Sequence, residues 1–125
     1  MFTVGARFTF SASHILDDLG PEHPCGRLHG HNWTATVYLA AAETDAHGFV
    51  VDLLDLAPLR AYIETTLEHR HLNDVLPVSP TSENVARHLH DIARARWPQV
   101  VACAVSESDR TCALYAPGDA VLLPG

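Results

Sequence analysis

Phe2-Thr3-Val4-Gly5-Ala6-Arg7-Phe8-Thr9-Phe10-Ser11-Ala12-Ser13-His14 alternates along its length, with Phe2, Val4, Ala6, Phe8 and Phe10 on one parity. A two-residue period sends those side chains to one face of a half-buried strand, here ending near His14. A second run of the same kind starts near His31. Trp33, Ala35, Val37 and Leu39 keep the parity of His31, while Asn32, Thr34, Thr36 and Tyr38 take the other face. Between the runs, residues 17–28 hold Gly20, Pro21, Pro24 and Gly26 among acidic residues, which predicts a loop. Pairing of the two strands would bring His14 beside His29 and His31.

Further along, Asp45 to Gly48 predict a turn, with Phe49 to Asp52 returning as a short hairpin partner. From Leu53 to about Glu68, Leu56, Leu59, Ile63 and Leu67 recur every three or four residues, the spacing of an amphipathic helix. Pro58 fits there because it falls in the first turn. A second helix is predicted after Thr81, an N-cap residue, with Glu83 placed favourably for the helix dipole. Its buried stripe is Val85, Leu89 and Ile92, and Pro98 stops it. Strands follow near Val100 to Glu107 and Thr111 to Tyr115, with an extension through Val121 to Leu123.

Two strands, two helices and two strands predict an α+β domain, an antiparallel sheet with two helices on one face. The second face then needs a cover. Val100, Ala102 and Ala104 are apolar on one face of the third strand, and Val101, Cys103 and Val105 on the other. Self-association is the expected cover in so small a domain.

The 125 residues suit one domain, residues 1–125. Hydrophobic residues at 47% against 18% charged residues place the chain with globular proteins and not with disordered ones. A formal charge of −7, with all eight basic residues scattered arginines, argues against nucleic acid as a partner. No apolar stretch nears the roughly 20 residues of a membrane span. No secretory signal is visible, so a cytoplasmic location is expected. Cys25, Cys103 and Cys112 have no disulfide or zinc-knuckle spacing and read as free thiols.

The chemistry centres on histidine. His29-Gly30-His31 places two imidazoles two residues apart on a strand, so both rings project to one face. With His14 they make three ligands and leave a fourth position open, the coordination of a catalytic zinc. A His-x-His pair alone is a weak signal; the surrounding residues strengthen it. Phe8-x-Phe10-Ser11-Ala12-x-His14 and Cys25-Gly26-Arg27-Leu28-His29-Gly30-His31 resemble the zinc and nucleophile segments of the 6-carboxytetrahydropterin and 6-pyruvoyltetrahydropterin synthase family. Leu67-Glu68-His69-Arg70-His71-Leu72-Asn73 is similar to that family's Asp-His-x-x-Leu-Asn segment. Pro80-Thr81-Ser82-Glu83-Asn84 is similar to its Pro-Thr-x-Glu-Asn segment, and Ser106-Glu107 falls where it carries a pterin-anchoring glutamate.

The resemblance, which runs from Phe8 to Tyr115, implies the tunnelling fold, in which such subunits oligomerise into a barrel, typically a hexamer with active sites between subunits. It implies zinc on His14, His29 and His31, and Cys25 as the catalytic thiol. His69 and Glu68 would complete the proton-transfer group, and Glu107 would hold the pterin ring in a pocket lined by Thr81 and Ser82. Each role has a physical basis. A thiolate near a cation can act as a base, an imidazole backed by a carboxylate can return a proton, and a carboxylate can accept adjacent pterin N–H groups together. Each also has a plain structural alternative: an inert thiol at Cys25, a helix C-cap at His69, a helix start at Thr81. Glu68 stands where the family has aspartate, and Ser108-Asp109 replaces its threonine.

The implied substrate is 7,8-dihydroneopterin triphosphate. The three-residue gap between Cys25 and His29 resembles the carboxy synthases, which form 6-carboxytetrahydropterin, acetaldehyde and triphosphate on the route to deazaguanine nucleosides. A 6-pyruvoyltetrahydropterin synthase and a non-catalytic zinc or pterin-binding module of the same fold are the alternatives.

Overall fold

A computed structural model of the chain describes residues 1–118; the expected extension through Val121 to Leu123 lies outside the described residues. Strands β1 (Phe2–His14) and β2 (His29–Ala41) pair antiparallel along their whole length, from Phe2 opposite Ala41 to His14 opposite His29. β2 starts two residues before His31 because His29 completes the ladder with His14. The alternation behaves as expected. Phe8, Phe10, Ala12 and His14 on β1, and Trp33, Ala35, Val37 and Leu39 on β2, are all buried on the same face.

Phe49 to Asp52 do not return as a strand. The Asp45 carboxylate accepts the His47 and Phe49 amides and the Asp45 amide donates to the Phe49 carbonyl, closing a tight loop. Asp52 caps the following segment by accepting the Leu54 amide.

The predicted first helix is present but not uniform. It runs as a 3₁₀ turn (Leu53–Leu56), helix α1 (Ala57–Tyr62) and a π turn (Ile63–Leu67). Leu56, Leu59, Ile63 and Leu67 are buried as their spacing requires, each contributing about 1.5–3 kcal/mol by its removal from water. A two-residue strand β3 (Arg70–His71) then joins β1 in parallel, and a single helical turn α2 (Leu72–Val75) follows. Neither is long enough to leave a periodic signal in sequence.

Helix α3 (Ser82–Arg96) begins as expected, with the Thr81 hydroxyl accepting the Asn84 amide. Its buried stripe is Val85, Ala86, Leu89, His90 and Ala93. Ile92 lies on the margin of that stripe and is 37% exposed, contrary to expectation.

Strand β4 (Val100–Ser108) pairs with β2 and β5 (Thr111–Tyr115) with β4, giving the order β3-β1-β2-β4-β5. The fold is therefore α+β, with a five-stranded, mostly antiparallel sheet. A register shift between Tyr38 and Leu39 sets Val100 opposite Leu39 and leaves Val101 as the extra residue. Val100, Cys103 and Val105 thus share the core with the helices, and the strict parity read from the sequence breaks at Val101. The opposite face of the sheet carries Arg7, Thr34, Thr36, Tyr38 and Ser106 along a groove of about 460 Å³. Among the described residues no helix is long and apolar enough to cross a membrane.

Candidate functional site

The β1–β2 register brings three imidazoles together. His14 stands opposite His29, and His31 opposite Ala12, so all three rings share the helix-side face at one end of the sheet. Ring centroids are 4.4 Å apart for His14 and His29, 5.0 Å for His14 and His31, and 4.9 Å for His29 and His31. Each ring offers one ligand nitrogen, and the three lie within 4.8 Å of one another.

Backbone carbonyls orient two of the rings. His14 Nδ1 lies 2.8 Å from the Pro80 carbonyl and His29 Nδ1 lies 2.6 Å from the Arg27 carbonyl. A carbonyl only accepts, so each Nδ1 carries a proton and Nε2 is the nitrogen left to face a metal. The indole of Trp33 stands edge-on to His14 and His31 and donates to the Ala12 carbonyl, which fixes the wall behind them. Burial lowers the pKa of His14; the Pro80 carbonyl and Glu107 oppose that shift, while His29 and His31 add to it. The neutral ring is the form that binds metal.

Among the described residues, the Nε2 atoms of His14 and His31 are buried with no hydrogen-bond partner. Orphaned buried acceptors are costly, and two of them converging with a third imidazole fit a bound divalent cation. The Glu107 carboxylate faces the same gap, 3.9 Å from His14 Nε2 and 3.5 Å from His31 Nε2. Its position on β4 follows from the parity of Cys103 and Val105.

The remaining predicted residues separate into three groups. Glu68 and His69 form a pair on the turn before β3, with Oε1 of Glu68 2.9 Å from Nε2 of His69. The other Glu68 oxygen accepts the Ser11 amide at 3.2 Å, so the longer side chain spans both partners. His69 holds the left-handed backbone conformation, φ 58°, and donates its amide to the Ser11 carbonyl at 2.7 Å. Such a conformation in a residue other than glycine costs on the order of 1–3 kcal/mol. Its ring is 79% exposed and shares with His31, Arg70 and His71 an open groove of about 510 Å³. Cys25, a half-buried free thiol in the 3₁₀ turn Pro24–Gly26, does not line that groove. Thr81 and Ser82 begin α3 immediately after Pro80, whose carbonyl holds His14.

Sequence reasoning missed the Pro80 and Arg27 carbonyls, because any residue type supplies one. It also missed Asn73, whose side chain bonds both the amide and the carbonyl of Ile15 and so ties α2 to the end of β1. The only signal was its place in Leu72-Asn73.

The family model described as 6-pyruvoyl tetrahydropterin synthase matches residues 3–118. The chain belongs to this family. Within the 6-pyruvoyl tetrahydropterin synthase family it is similar to proteins named 6-carboxy-5,6,7,8-tetrahydropterin synthase. The one from Synechocystis is 32% identical over 124 residues, covering 92% of this chain and 93% of the relative. The one from Bacillus subtilis is 29% identical, covering 93% and 86%. In fold, the chain superposes on the structure of Caenorhabditis elegans 6-pyruvoyl tetrahydropterin synthase with a TM-score of 0.82 at 24% identity, covering 94% and 96% of the two chains. The chain is thus a family member with a three-histidine metal site.

Proposed function

We propose that this chain is a 6-carboxy-5,6,7,8-tetrahydropterin synthase. It converts 7,8-dihydroneopterin triphosphate and one water to 6-carboxy-5,6,7,8-tetrahydropterin with release of acetaldehyde and triphosphate, supplying a deazaguanine-type pathway. The observation that carries this is the convergence of His14, His29 and His31 in a chain whose relatives across nearly its full length bear that name.

In this reading His14, His29 and His31 hold zinc. When bound, the ion polarises the oxygens of the pterin side chain and makes the neighbouring carbon more acidic. Cys25 takes a proton from that carbon, and His69 returns one elsewhere on the side chain. The Glu68 carboxylate, 2.9 Å from Nε2, orients the His69 ring. Glu107 accepts the paired N–H groups of the pterin ring, and Thr81 and Ser82 line the pocket beside it.

The whole of residues 1–125 acts as one domain, and copies assemble, in our reading as a hexamer, by closing their sheets into a barrel. The polar sheet face left free of helices and the exposed ring of His69, in a groove that Cys25 does not line, support active sites completed between subunits. A 6-pyruvoyl synthase is the second reading, favoured by the description of the family model. Mass analysis of the products distinguishes the two, because only the carboxy synthase breaks a carbon–carbon bond.

A further inference from the structure

Cys25 presents its sulfur from a loop, and a loop side chain is placed only as well as its backbone is held. Both backbone polar groups of Cys25 are held. Its amide donates to Nδ1 of His23 at 3.0 Å, and its carbonyl accepts the Leu16 amide at 2.8 Å. The far side of the turn is equally tight. The Gly26 amide donates to the His23 carbonyl at 2.9 Å. A Cβ on Gly26 would stand 1.8 Å from the Gly20 carbonyl oxygen, so no side chain fits there.

Pro24 occupies the first position of the turn and has no N–H, which makes the Cys25 amide the first donor in need of an acceptor. The backbone before the turn supplies none. The acceptor is the ring of the N-cap residue, His23.

We infer that His23 is a positioning residue for the Cys25 thiol: its unprotonated Nδ1 caps the turn and fixes the backbone from which the sulfur projects. The inference rests on Cys25 being the reacting thiol. It adds a role for a histidine that lies outside the metal cluster and the Glu68–His69 pair. The ring acts as an acceptor and not as an acid or base, so a shorter N-cap acceptor, asparagine, can replace it.

The test uses zinc-loaded enzyme carrying Cys112→Ser, which removes the exposed thiol; Cys103 is buried. Alkylation of Cys25 by iodoacetamide is followed alongside kcat, KM and zinc content. Loss of an N-cap is worth about 1 kcal/mol, or about fivefold. In His23→Ala the loosened, half-buried thiol should alkylate about fivefold faster while kcat falls about fivefold, with KM and zinc content unchanged. His23→Asn should restore both rates.

Equal alkylation and turnover in His23→Ala and the parent would overturn the inference. So would slower alkylation, which would make the ring an activator of the thiol, or an asparagine variant as impaired as alanine. If the parent enzyme turns over no pterin, the proposed function fails, yet the alkylation contrast between alanine and asparagine still decides the role of His23.

Discussion

His14 stands directly opposite His29 where the β1–β2 ladder meets its connecting loop, and that register sets their ring centroids 4.4 Å apart. A slip of one residue would turn His29 to the other face. The metal site is therefore a consequence of strand register and depends on all three rings. His29→Ala should reduce bound zinc from about one per subunit to a small fraction of that. Metal analysis of the purified variant measures it, and full zinc occupancy would remove His29 from the site.

Glu107 faces the same end of the sheet, its carboxylate 3.9 Å from His14 Nε2 and 3.5 Å from His31 Nε2. With Glu107 holding the pterin as proposed, Glu107→Gln keeps its shape but replaces one acceptor with a donor aimed at the ring's own donors. Charged hydrogen bonds are worth about 1.5–3 kcal/mol, so pterin affinity should fall on the order of tenfold to a hundredfold. Titration with dihydroneopterin measures this, and an unchanged Kd would place the pterin elsewhere.

Glu68 touches both the Ser11 amide and the His69 ring, a span that needs its full length. Restoring the aspartate usual in the family should therefore lower turnover, by about tenfold for one lost charged hydrogen bond. A rise in kcat for Glu68→Asp would show that the longer side chain misplaces His69.

His88, on α3, accepts or donates at Nε2 to the Tyr62 hydroxyl 2.6 Å away. Burial lowers its pKa, with Asp91 opposing. The unfolded chain takes up a proton near pH 6.5 and the folded chain only at lower pH, so proton uptake favours unfolding between those values. Stability should hold above about pH 6.5 and decline as pH falls below it. His88→Gln should flatten that part of the curve in denaturant titrations, and an unaltered pH dependence would contradict the assignment.

Much of the fold was legible because alternation survives in both long strands, where one face meets the core and the other does not. The three metal-binding candidates were legible for the same reason: Phe8, Phe10 and Trp33 fix the parity that His14 and His31 inherit. What the sequence concealed depends on backbone more than on residue type. The Pro80 and Arg27 carbonyls that set the imidazole tautomers, the bulge that shifts Val101, and the left-handed turn at His69 leave no residue pattern. Ile92 was misplaced because the stripe on α3 is centred on small residues, Ala86 and Ala93, that hydropathy reading undervalues.

The most direct test of the proposed function is the fate of the substrate side chain. Dihydroneopterin triphosphate is incubated with zinc-loaded protein, the pterin product is weighed by mass spectrometry, and aldehyde is trapped as a hydrazone. The account predicts 6-carboxytetrahydropterin and acetaldehyde in equal amounts, both lost in a Cys25→Ala variant that keeps its zinc. A 6-pyruvoyl product without acetaldehyde, or unchanged substrate from fully loaded protein, would contradict it.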